Sequence, residues 1–378
     1  MPGCPPAQGA DPALNLNNPG EDACPLHGGE VYHLARTLGV KVADLLDFSA
    51  NINPLGFPAG VPAAVQGALA DLVHYPDCHC LELRQDLAEY HGLSPEEVLV
   101  GNGSTDLIYL VVRALQPARA LIVAPAFGEY QKALETARVP YEFHLTREAH
   151  NFTLAHLPDV SGGELIFLAN PASPSGALLN PARLCSWLAT WGEAGVCVVL
   201  DEAFVDFVEE ASMKTRLREF PHLIILRSFT KFFAIPGLRL GYLLAAPDLI
   251  ARLTAVQEPW SVNTLAQAAG RACLRDRDFM ARTRILVAEE RRHLFARLQA
   301  LPGVKPFPGA ANYLLAKLSL SGWTARRLRH RLMAQGIIIR DASNFPGLDE
   351  RYFRVAVRGR EENDRLLAAM AACLTTGV

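Results

Sequence analysis

Four polar side chains, Ser228, Thr230, Lys231 and Arg239, follow a short apolar run at residues 223–226. The run has the composition of a buried strand, so these residues would lie at its end or just beyond it. A lysine amine placed there can bond covalently to an aldehyde, while two hydroxyl groups and a guanidinium supply donors for a phosphate. The cluster could therefore hold a ligand that carries both an aldehyde and a phosphate.

Pyridoxal phosphate is a cofactor with both of these groups. The alternative is that Lys231 and Arg239 are ordinary surface residues. Only six of the 36 basic residues are lysines, and none of the other five has a comparable set of hydroxyl, glycine and arginine neighbours. Spacing alone leaves both interpretations open, so the other segments must decide between them.

Short apolar runs separated by helix-length segments predict the fold. Runs without alternation suit strands that are covered on both faces, so we expect a mainly parallel α/β sheet. The runs lie at residues 121–124, 165–169, 196–200, 223–226 and 240–245. Ligands of such sheets bind beyond the carboxyl ends of the strands. Phe127, the segment 170–176 with Ser173, and Asp201 follow three of these ends, as Lys231 follows a fourth.

Each of these residues has a second interpretation. Asp201 could face a pyridine nitrogen and keep it protonated, or it could cap a helix or form a salt bridge. Phe127 could stack on a ring or belong to the core. Gly103, Ser104 and Thr105 follow another short apolar run and precede a helical one. This start of a helix could hold a phosphate or could be an ordinary N-cap.

The N-terminal part of the chain offers further candidates. Residues 1–26 lack any period and predict a flexible arm. His27, beside two glycines, could approach an anion or simply pack. Asn51 and Asn53 lie in an extended segment and could bind carboxylates or phosphates, or form turns. Tyr75, in a turn between helical patterns, could meet a ligand or pack.

The character of the sequence changes at about residue 271. Arginine-rich helical patterns and short strands follow, which predict a smaller α+β domain at 271–378 after a large domain at 27–270. Arg340 and Arg354 end or interrupt apolar strands, a position where a guanidinium usually has an anionic partner. Whether that partner is a ligand or the protein itself is open at this point.

Composition excludes several classes of function. The net charge of −3 and the absence of a long basic run argue against nucleic acid as a partner. We expect neither a membrane span nor a secretory signal, and therefore a cytoplasmic protein. The eight cysteines are scattered and predict reduced thiols. The cluster at residues 74–80 does not have the spacing of a common zinc site, so we expect no metal.

Taken together, the motifs identify a family resemblance. The chain resembles the fold-type I pyridoxal phosphate enzymes of the aspartate aminotransferase superfamily. Within this superfamily it resembles the histidinol-phosphate aminotransferase branch, and the match is closer still to the threonine-phosphate decarboxylases of cobalamin biosynthesis. The similar segments are His-Gly-Gly at 27–29, Ser-Ala-Asn-Ile-Asn-Pro at 49–54, Asp-Glu-Ala-Phe at 201–204, the segment 226–242, Pro-Trp-Ser-Val-Asn at 259–263 and Asn-Tyr-Leu-Leu at 312–315. The resemblance covers residues 27 to about 370, and the first two motifs favour the decarboxylases over the aminotransferases.

The resemblance implies a role for each candidate residue. Lys231 would bond to the cofactor aldehyde, Asp201 would pair with the ring nitrogen, and Phe127 would stack on the ring. The cofactor phosphate would be held by Gly103, Ser104, Thr105, Ser228 and Arg239, with Tyr75 contributed by the other subunit of a homodimer. Arg354 would bind the substrate carboxylate. The residues near the substrate phosphate would be His27, Arg340 and one of the two asparagines, Asn51 or Asn53.

Two residues depart from the wider family. Ser173 stands where an asparagine hydrogen-bonds the phenolic oxygen of the cofactor, and Phe204 stands where most members have tyrosine, although phenylalanine is usual in the decarboxylase-like branch. With both donors lost, the phenolate would be less stabilised. We therefore expect the Lys231 nitrogen that bonds to the cofactor to have a higher pKa than in aminotransferases.

The activity that the resemblance implies is decarboxylation of a small phosphorylated amino acid, L-threonine O-3-phosphate. The runner-up is amino-group transfer with a substrate such as histidinol phosphate, because the two reactions share nearly every cofactor residue. A domain that binds the cofactor for regulation is a third possibility, although no basic appendage or helix-turn-helix accompanies it.

Overall fold

The computed structural model describes residues 28–160 and 162–375. The flexible arm predicted at 1–26 and the anion contact predicted for His27 lie outside the described residues. Within them, no helix is long and apolar enough to cross a membrane.

Short strands and longer helices alternate through the first two-thirds of the chain. The strands are β1 (Leu46–Asp47), β2 (Val98–Gly101), β3 (Arg119–Ala124), β4 (Tyr141–Leu145), β5 (Glu164–Ala169), β6 (Cys197–Asp201), β7 (Leu223–Ser228), β8 (Gly241–Ala245), β9 (Val304–Pro306), β10 (Tyr313–Leu318), β11 (Ile337–Ile338), β12 (Arg340–Asp341) and β13 (Tyr352–Ala356). The helices are α1 (Val31–Leu38), α2 (Val61–Gly67), α3 (Leu81–His91), α4 (Ser104–Leu115), α5 (Gly128–Ala137), α6 (Pro181–Glu193), α7 (Phe229–Phe232), α8 (Pro247–Thr254), α9 (Thr264–Arg275), α10 (Arg277–Gln299), α11 (Ala325–Met333) and α12 (Arg360–Thr375).

The large sheet has seven strands in the order β2-β8-β7-β6-β5-β3-β4. Strands β7, β6, β5, β3 and β4 are parallel, and β8 runs antiparallel to its two neighbours. Every residue of β5 and β7 is buried, as expected for strands covered by helices on both faces. The predicted α/β fold with a mainly parallel sheet is therefore confirmed, and all five predicted strands are present.

Helix α4 shows how the sequence attaches a helix to this sheet. Its buried residues, Leu107, Ile108, Leu110, Val111 and Val112, recur at helical spacing and form one apolar face. These residues pack in one cluster with side chains from the sheet, among them Leu99, Leu226 and Leu243. The packing fixes the first turn of α4, and with it Ser104 and Thr105, beside the ends of the strands.

A second, antiparallel sheet lies in the C-terminal part of the chain, in the order β12-β13-β10-β9. Its strands all follow residue 271, where we predict the smaller domain. The N-terminal segment also contributes to this region, because β1 pairs in parallel with β11. This pairing brings residues 48–53, which follow β1, next to the C-terminal sheet. The boundaries 27–270 and 271–378 stay a prediction.

Candidate active site

A cavity of about 700 Å³ lies at the carboxyl ends of the parallel strands. Its walls come from the ends of β5, β6 and β7, the starts of α4 and α5, the segment after β1, and the C-terminal sheet. Of the residues that the sequence predicts, those lining it are Asn51, Ser104, Thr105, Phe127, Ser173, Asp201, Ser228, Lys231, Arg239, Arg340 and Arg354. Those that follow β5, β6 and β7 converge because strand ends of a parallel sheet lie along one edge, whereas Asn51, Arg340 and Arg354 come from the segment after β1 and from the C-terminal sheet.

The start of helix α4 forms one end of the cavity. Its N-cap, Gly103, has φ of +84°, and a Cβ atom added there would lie only 2.8 Å from Nη2 of Arg239. A glycine is therefore required for both the backbone conformation and the close approach of the guanidinium. The hydroxyl groups of Ser228 and Thr230, which also line the cavity, are hydrogen-bonded to each other at 2.8 Å. Free helix N–H groups, hydroxyls and a guanidinium provide the donors that a phosphate needs.

Asp201 lines the cavity at the end of β6, and only 7% of its surface is exposed. Its Oδ1 atom accepts a hydrogen bond from the backbone N–H of Ala203 at 2.8 Å, and its Oδ2 atom accepts one from the hydroxyl of Tyr130. Burial raises the pKa of Asp201, and these two hydrogen bonds and the charge of Lys231 act in the opposite direction. The carboxyl group is held in one orientation and can face a cationic ring nitrogen.

Lys231 lies in the single turn of α7, one residue after Thr230, and its amine faces the cavity. Loss of hydration lowers its pKa from 10.5 to about 8, and the positive charges of Arg354 and Arg239 act in the same direction. A larger fraction of the amine is therefore neutral and nucleophilic near neutral pH than for an exposed lysine.

Asn53 does not line the cavity, which corrects the expectation that it meets the substrate. Its amide group donates to the carbonyl of Phe232 at 2.7 Å and to the Thr283 hydroxyl at 2.9 Å. Its backbone N–H also donates to the carbonyl of Lys231 at 3.1 Å. These bonds to Lys231 and Phe232 support the turn that carries Lys231. They also leave the Asn53 side-chain amide without a donor for a substrate. Asn51, two residues earlier, does line the cavity.

Two buried arginines enter from the C-terminal sheet. Arg354 donates to the carbonyl of Ser49 at 3.0 Å and to the Ser173 hydroxyl at 3.3 Å, while its buried Nε atom has no partner. Burial lowers the pKa of Arg354 to about 10. Arg340 is 2% exposed, and its Nη2 atom donates to Asn344 at 2.8 Å. Two guanidinium groups on one wall create a site for a substrate with negative charge.

Tyr75 lies apart from the cavity of its own chain. It is 79% exposed and stacks on Trp260, with ring centroids 4.6 Å apart. A contribution to the cavity of a second subunit therefore stays a prediction.

Several residues of the site were not predicted from the sequence. Tyr130 and Asn344 line the cavity, as do Phe345 and Pro346 of the same loop. Thr230, whose hydroxyl the sequence offers as a phosphate donor, also lines it. Tyr130 follows Phe127 by three residues at the start of α5, a spacing that could have indicated a common face.

The residues fit pyridoxal phosphate. The helix start at Ser104 and Thr105 and the pair of hydroxyls match a phosphate, although the predicted Gly103 does not itself line the cavity. The fixed carboxylate of Asp201 matches a ring nitrogen, and Lys231 matches an aldehyde. Phe127 lies on the cavity wall at the start of α5, where its ring can cover a flat ligand. Among the described residues, no group of three His, Cys, Asp or Glu side chains converges as a metal site.

Comparisons with known proteins agree with this fit. Threonine-phosphate decarboxylase of Salmonella typhimurium is 40% identical, over 92% of this chain and 96% of its own length. A putative threonine-phosphate decarboxylase of Caldanaerobacter subterraneus is 35% identical, over 93% and 95%. Histidinol-phosphate aminotransferase of an Anaeromyxobacter species is also 35% identical, over 92% and 95%.

Solved structures are similar over nearly the same length. L-threonine-O-3-phosphate decarboxylase from Porphyromonas gingivalis has a TM-score of 0.80 and 28% identity, and the match covers 87% of this chain and 99% of that one. Histidinol-phosphate aminotransferase from Clostridium acetobutylicum has a TM-score of 0.81 and 28% identity, with coverage of 88% and 100%. Residues 43–370 match the family described as aminotransferase class I and II. This chain therefore belongs to the aminotransferase class I and II family.

Proposed function

We propose that this protein decarboxylates L-threonine O-3-phosphate to (R)-1-amino-2-propanol O-2-phosphate and carbon dioxide in cobalamin biosynthesis. Pyridoxal 5′-phosphate is its cofactor, bonded to Lys231. The relatives that share 40% and 35% identity over nearly their full length support the decarboxylase assignment.

The observation that carries the proposal is the pair of arginines opposite Lys231. Arg340 and Arg354 are directly paired across two antiparallel strands, and both line the cavity. Their two positive charges suit a substrate with a carboxylate and a phosphate, as in L-threonine O-3-phosphate. Histidinol phosphate has a phosphate but no carboxylate, although glutamate, the other substrate of such an aminotransferase, has two carboxylates.

The mechanism assigns a task to each side chain. Bound pyridoxal phosphate supplies a protonated ring that accepts the electron pair of a bond broken at the substrate Cα. Asp201 keeps the ring nitrogen protonated, and Phe127 covers the ring. Arg354 would bind the substrate carboxylate and so determine whether the bond to that group, rather than the bond to the Cα hydrogen, is placed for cleavage. Nζ of Lys231, which would hold the cofactor in the absence of substrate, would donate the proton that Cα needs after carbon dioxide leaves.

The phosphate requirement tests this substrate assignment. The loaded enzyme should turn over L-threonine O-3-phosphate, with 1-amino-2-propanol phosphate identified by mass spectrometry. We expect L-threonine to react with at least about a hundredfold lower kcat/KM, because it lacks the phosphate and therefore loses every contact that the phosphate makes with this wall. Equal turnover of L-threonine would contradict a phosphate-binding role for this wall.

The lowered pKa of Lys231 predicts the pH dependence of cofactor loading. Only the neutral amine attacks an aldehyde, so the loading rate of the cofactor-free protein should rise with pH and level off above about 8. Stopped-flow absorbance after mixing with pyridoxal 5′-phosphate between pH 6 and pH 10 measures this rate. A rate that continues to rise up to pH 10 would indicate a lysine with an ordinary pKa.

Ser173 and Phe204 predict the absorption spectrum of the loaded enzyme. Phe204 lines the cavity and lies edge-on to Tyr313, while Ser173 bonds to Arg354, so neither residue supplies the amide or phenol donor of the wider family. We expect Ser173→Asn and Phe204→Tyr each to lower the pH midpoint of the visible transition by roughly half a unit to one unit, because each adds a donor to the phenolate.

The control for this titration is Ser173→Ala, which adds no donor and should not lower the midpoint. A wild-type enzyme whose Lys231 nitrogen is already deprotonated at mildly acidic pH would contradict the prediction.

We also propose a homodimer in which Tyr75 reaches the cofactor phosphate of the partner subunit. An exposed apolar patch supports it, formed by Leu69, Leu72, Val73, Tyr75 and Trp260; Val73 is 82% exposed. Four of these side chains lie within residues 69–75, and Trp260 joins them by stacking on Tyr75. Such a group of exposed large apolar side chains is typical of a surface that is covered by another protein.

Replacing Val73 by aspartate should dissociate this dimer, because the charge would be buried in an apolar interface. We expect sedimentation velocity to show a monomer and cofactor affinity to fall at least about tenfold. The matched control is Ile285→Asp, which alters an exposed residue on α10 (61% exposed) outside the patch. A wild-type monomer, or a V73D dimer with unchanged affinity, would overturn the proposal.

A cytoplasmic location is also proposed. The cysteines at 78, 80, 185, 197, 273 and 373 are free thiols, which are typical of a reducing compartment.

A further inference from the structure

Tyr130 is a buried side chain that has no role in the proposed mechanism. It is 1% exposed, yet its hydroxyl group points toward the cavity and donates a hydrogen bond to Oδ2 of Asp201. A buried tyrosine hydroxyl usually has a partner. The partner here is the carboxylate that faces the ring nitrogen.

Aromatic packing holds the Tyr130 ring in place. The ring lies parallel to Phe167, with centroids 4.9 Å apart and an angle of 9° between the planes. Phe167 is fully buried in the middle of β5, which gives the ring a rigid support. The edge of Phe127 meets the ring at 87° and 5.9 Å. Tyr130 therefore connects the residue that covers the cofactor ring to the residue that binds its nitrogen.

The Asp201 carboxylate has each oxygen fixed by a different donor. The backbone N–H of Ala203 bonds to Oδ1 and the Tyr130 hydroxyl bonds to Oδ2, so rotation of the group would break both hydrogen bonds. The other titratable groups that act on Asp201 are Lys231 and Tyr313. Of these groups, Tyr130 is the one that donates a side-chain hydrogen bond to it.

We propose that Tyr130 is a positioning residue for the reaction, which acts through Asp201 to keep the proton on the cofactor ring nitrogen. A carboxylate that already accepts two hydrogen bonds binds a proton less tightly than a carboxylate without them. The proton it shares with the ring therefore stays on the ring nitrogen, where it strengthens electron withdrawal. The inference rests on the proposed cofactor chemistry, but not on which phosphorylated amino acid is the substrate.

The charge states agree with this arrangement. Burial and the charge of Asp201 raise the pKa of Tyr130 well above 10, so its hydroxyl keeps its proton through the neutral range. Burial raises the pKa of Asp201, and the hydrogen bond from Tyr130 opposes that effect. Removal of the hydroxyl would therefore make Asp201 more basic and draw the shared proton away from the ring.

The test is Tyr130→Phe in the loaded enzyme, which removes the hydroxyl and keeps the ring. If the proton moves from the ring nitrogen to Asp201, the cofactor loses positive charge. The Nζ atom of Lys231, which is bonded to the cofactor, then becomes easier to protonate. We expect the pH midpoint of the visible spectrum, recorded without substrate, to rise by about one unit, which is a tenfold change in proton affinity. With substrate, kcat should fall about tenfold while KM changes less than about twofold.

Two further variants separate a positioning role from a general loss of structure. Tyr352→Phe removes a hydroxyl that donates to the Glu148 carboxylate at 2.5 Å and does not line the cavity, so its midpoint should stay at the wild-type value. In an Asp201→Asn background, Y130F should add less than about a threefold change, because the group through which it acts is gone.

The proposal would be overturned by an unchanged midpoint in Y130F, by an equal shift in Y352F, or by a full shift in the Asp201→Asn background. If Y130F does not fold, Phe167→Leu loosens the support of the ring and should shift the midpoint in the same direction by a smaller amount. No shift in that folded variant would also overturn it. Because these titrations contain no substrate, a normal Y130F shift without carbon dioxide release would count against the proposed substrate alone.

Discussion

Replacement of Lys231 by alanine is expected to reduce decarboxylation by more than about a thousandfold, because the covalent attachment and the proton donor at Cα are lost together. If the proposed phosphate site is correct, the alanine variant should still hold the cofactor through the helix start at Ser104, the hydroxyls of Ser228 and Thr230, and Arg239. Two measurements check this result. Carbon dioxide release gives the activity, and mass spectrometry after borohydride reduction gives the attachment, which should be found on Lys231 in the wild type.

Lys305→Ala is the matched control for this variant. Lys305 is an exposed lysine that pairs with Glu148 at 2.7 Å and does not line the cavity. Its replacement should leave both the activity and the attached mass unchanged. Cofactor reduced onto another lysine, or full activity of the Lys231→Ala variant, would contradict the assignment of Lys231.

Replacement of Arg354 by lysine is expected to lower kcat/KM for the phosphorylated substrate about a hundredfold while the cofactor still loads normally. Lysine keeps the charge, but it cannot reproduce the planar guanidinium that reaches Ser49, Ser173 and a bound carboxylate together. Truncating one partner of a buried, hydrogen-bonded charge pair costs about 2–5 kcal/mol, which corresponds to a factor of roughly 30 to several thousand.

The control here is Arg351→Lys, one residue before the same strand. Arg351 is 45% exposed and forms an ion pair with Asp349 at the surface, an interaction of small energy. We expect steady-state kinetics of this variant to match the wild type. An Arg354→Lys enzyme with unchanged kcat/KM would show that the substrate carboxylate is bound elsewhere.

The parts of the site that depend on local sequence could be predicted. Lys231, Asp201 and Ser173 each follow a continuous apolar run, and a parallel sheet places the ends of such runs along one edge. Ser104 and Thr105 were recognisable because a glycine turn before an apolar helix offers a phosphate site, although an ordinary N-cap has the same pattern. The large sheet and most helices follow from the same patterns.

The parts that depend on long-range contacts could not be predicted. The amide of Asn53 bonds to Phe232 and Thr283, which are 179 and 230 residues away, and no local pattern indicates that its donors are used inside the protein. The hydrogen bond from Tyr130 to Asp201 spans 71 residues in the same way.

The register of the C-terminal strands is a third example. Arg340 and Arg354 were recognised separately as arginines in apolar strands. Only the pairing of β12 with β13 places them opposite each other on one wall. Similarly, the pairing of β1 with β11 brings Asn51 to the cavity. This pairing could not be predicted, because strands of two residues are too short to show a period in the sequence.

The most direct test of the proposed function is a pair of incubations of the loaded enzyme. One contains L-threonine O-3-phosphate, and the other contains histidinol phosphate with 2-oxoglutarate. Carbon dioxide and glutamate are measured in both. The decarboxylase assignment predicts carbon dioxide from the first mixture in an amount equal to the substrate consumed, and no glutamate from the second. Glutamate from the second mixture without carbon dioxide from the first would show that the enzyme is an aminotransferase.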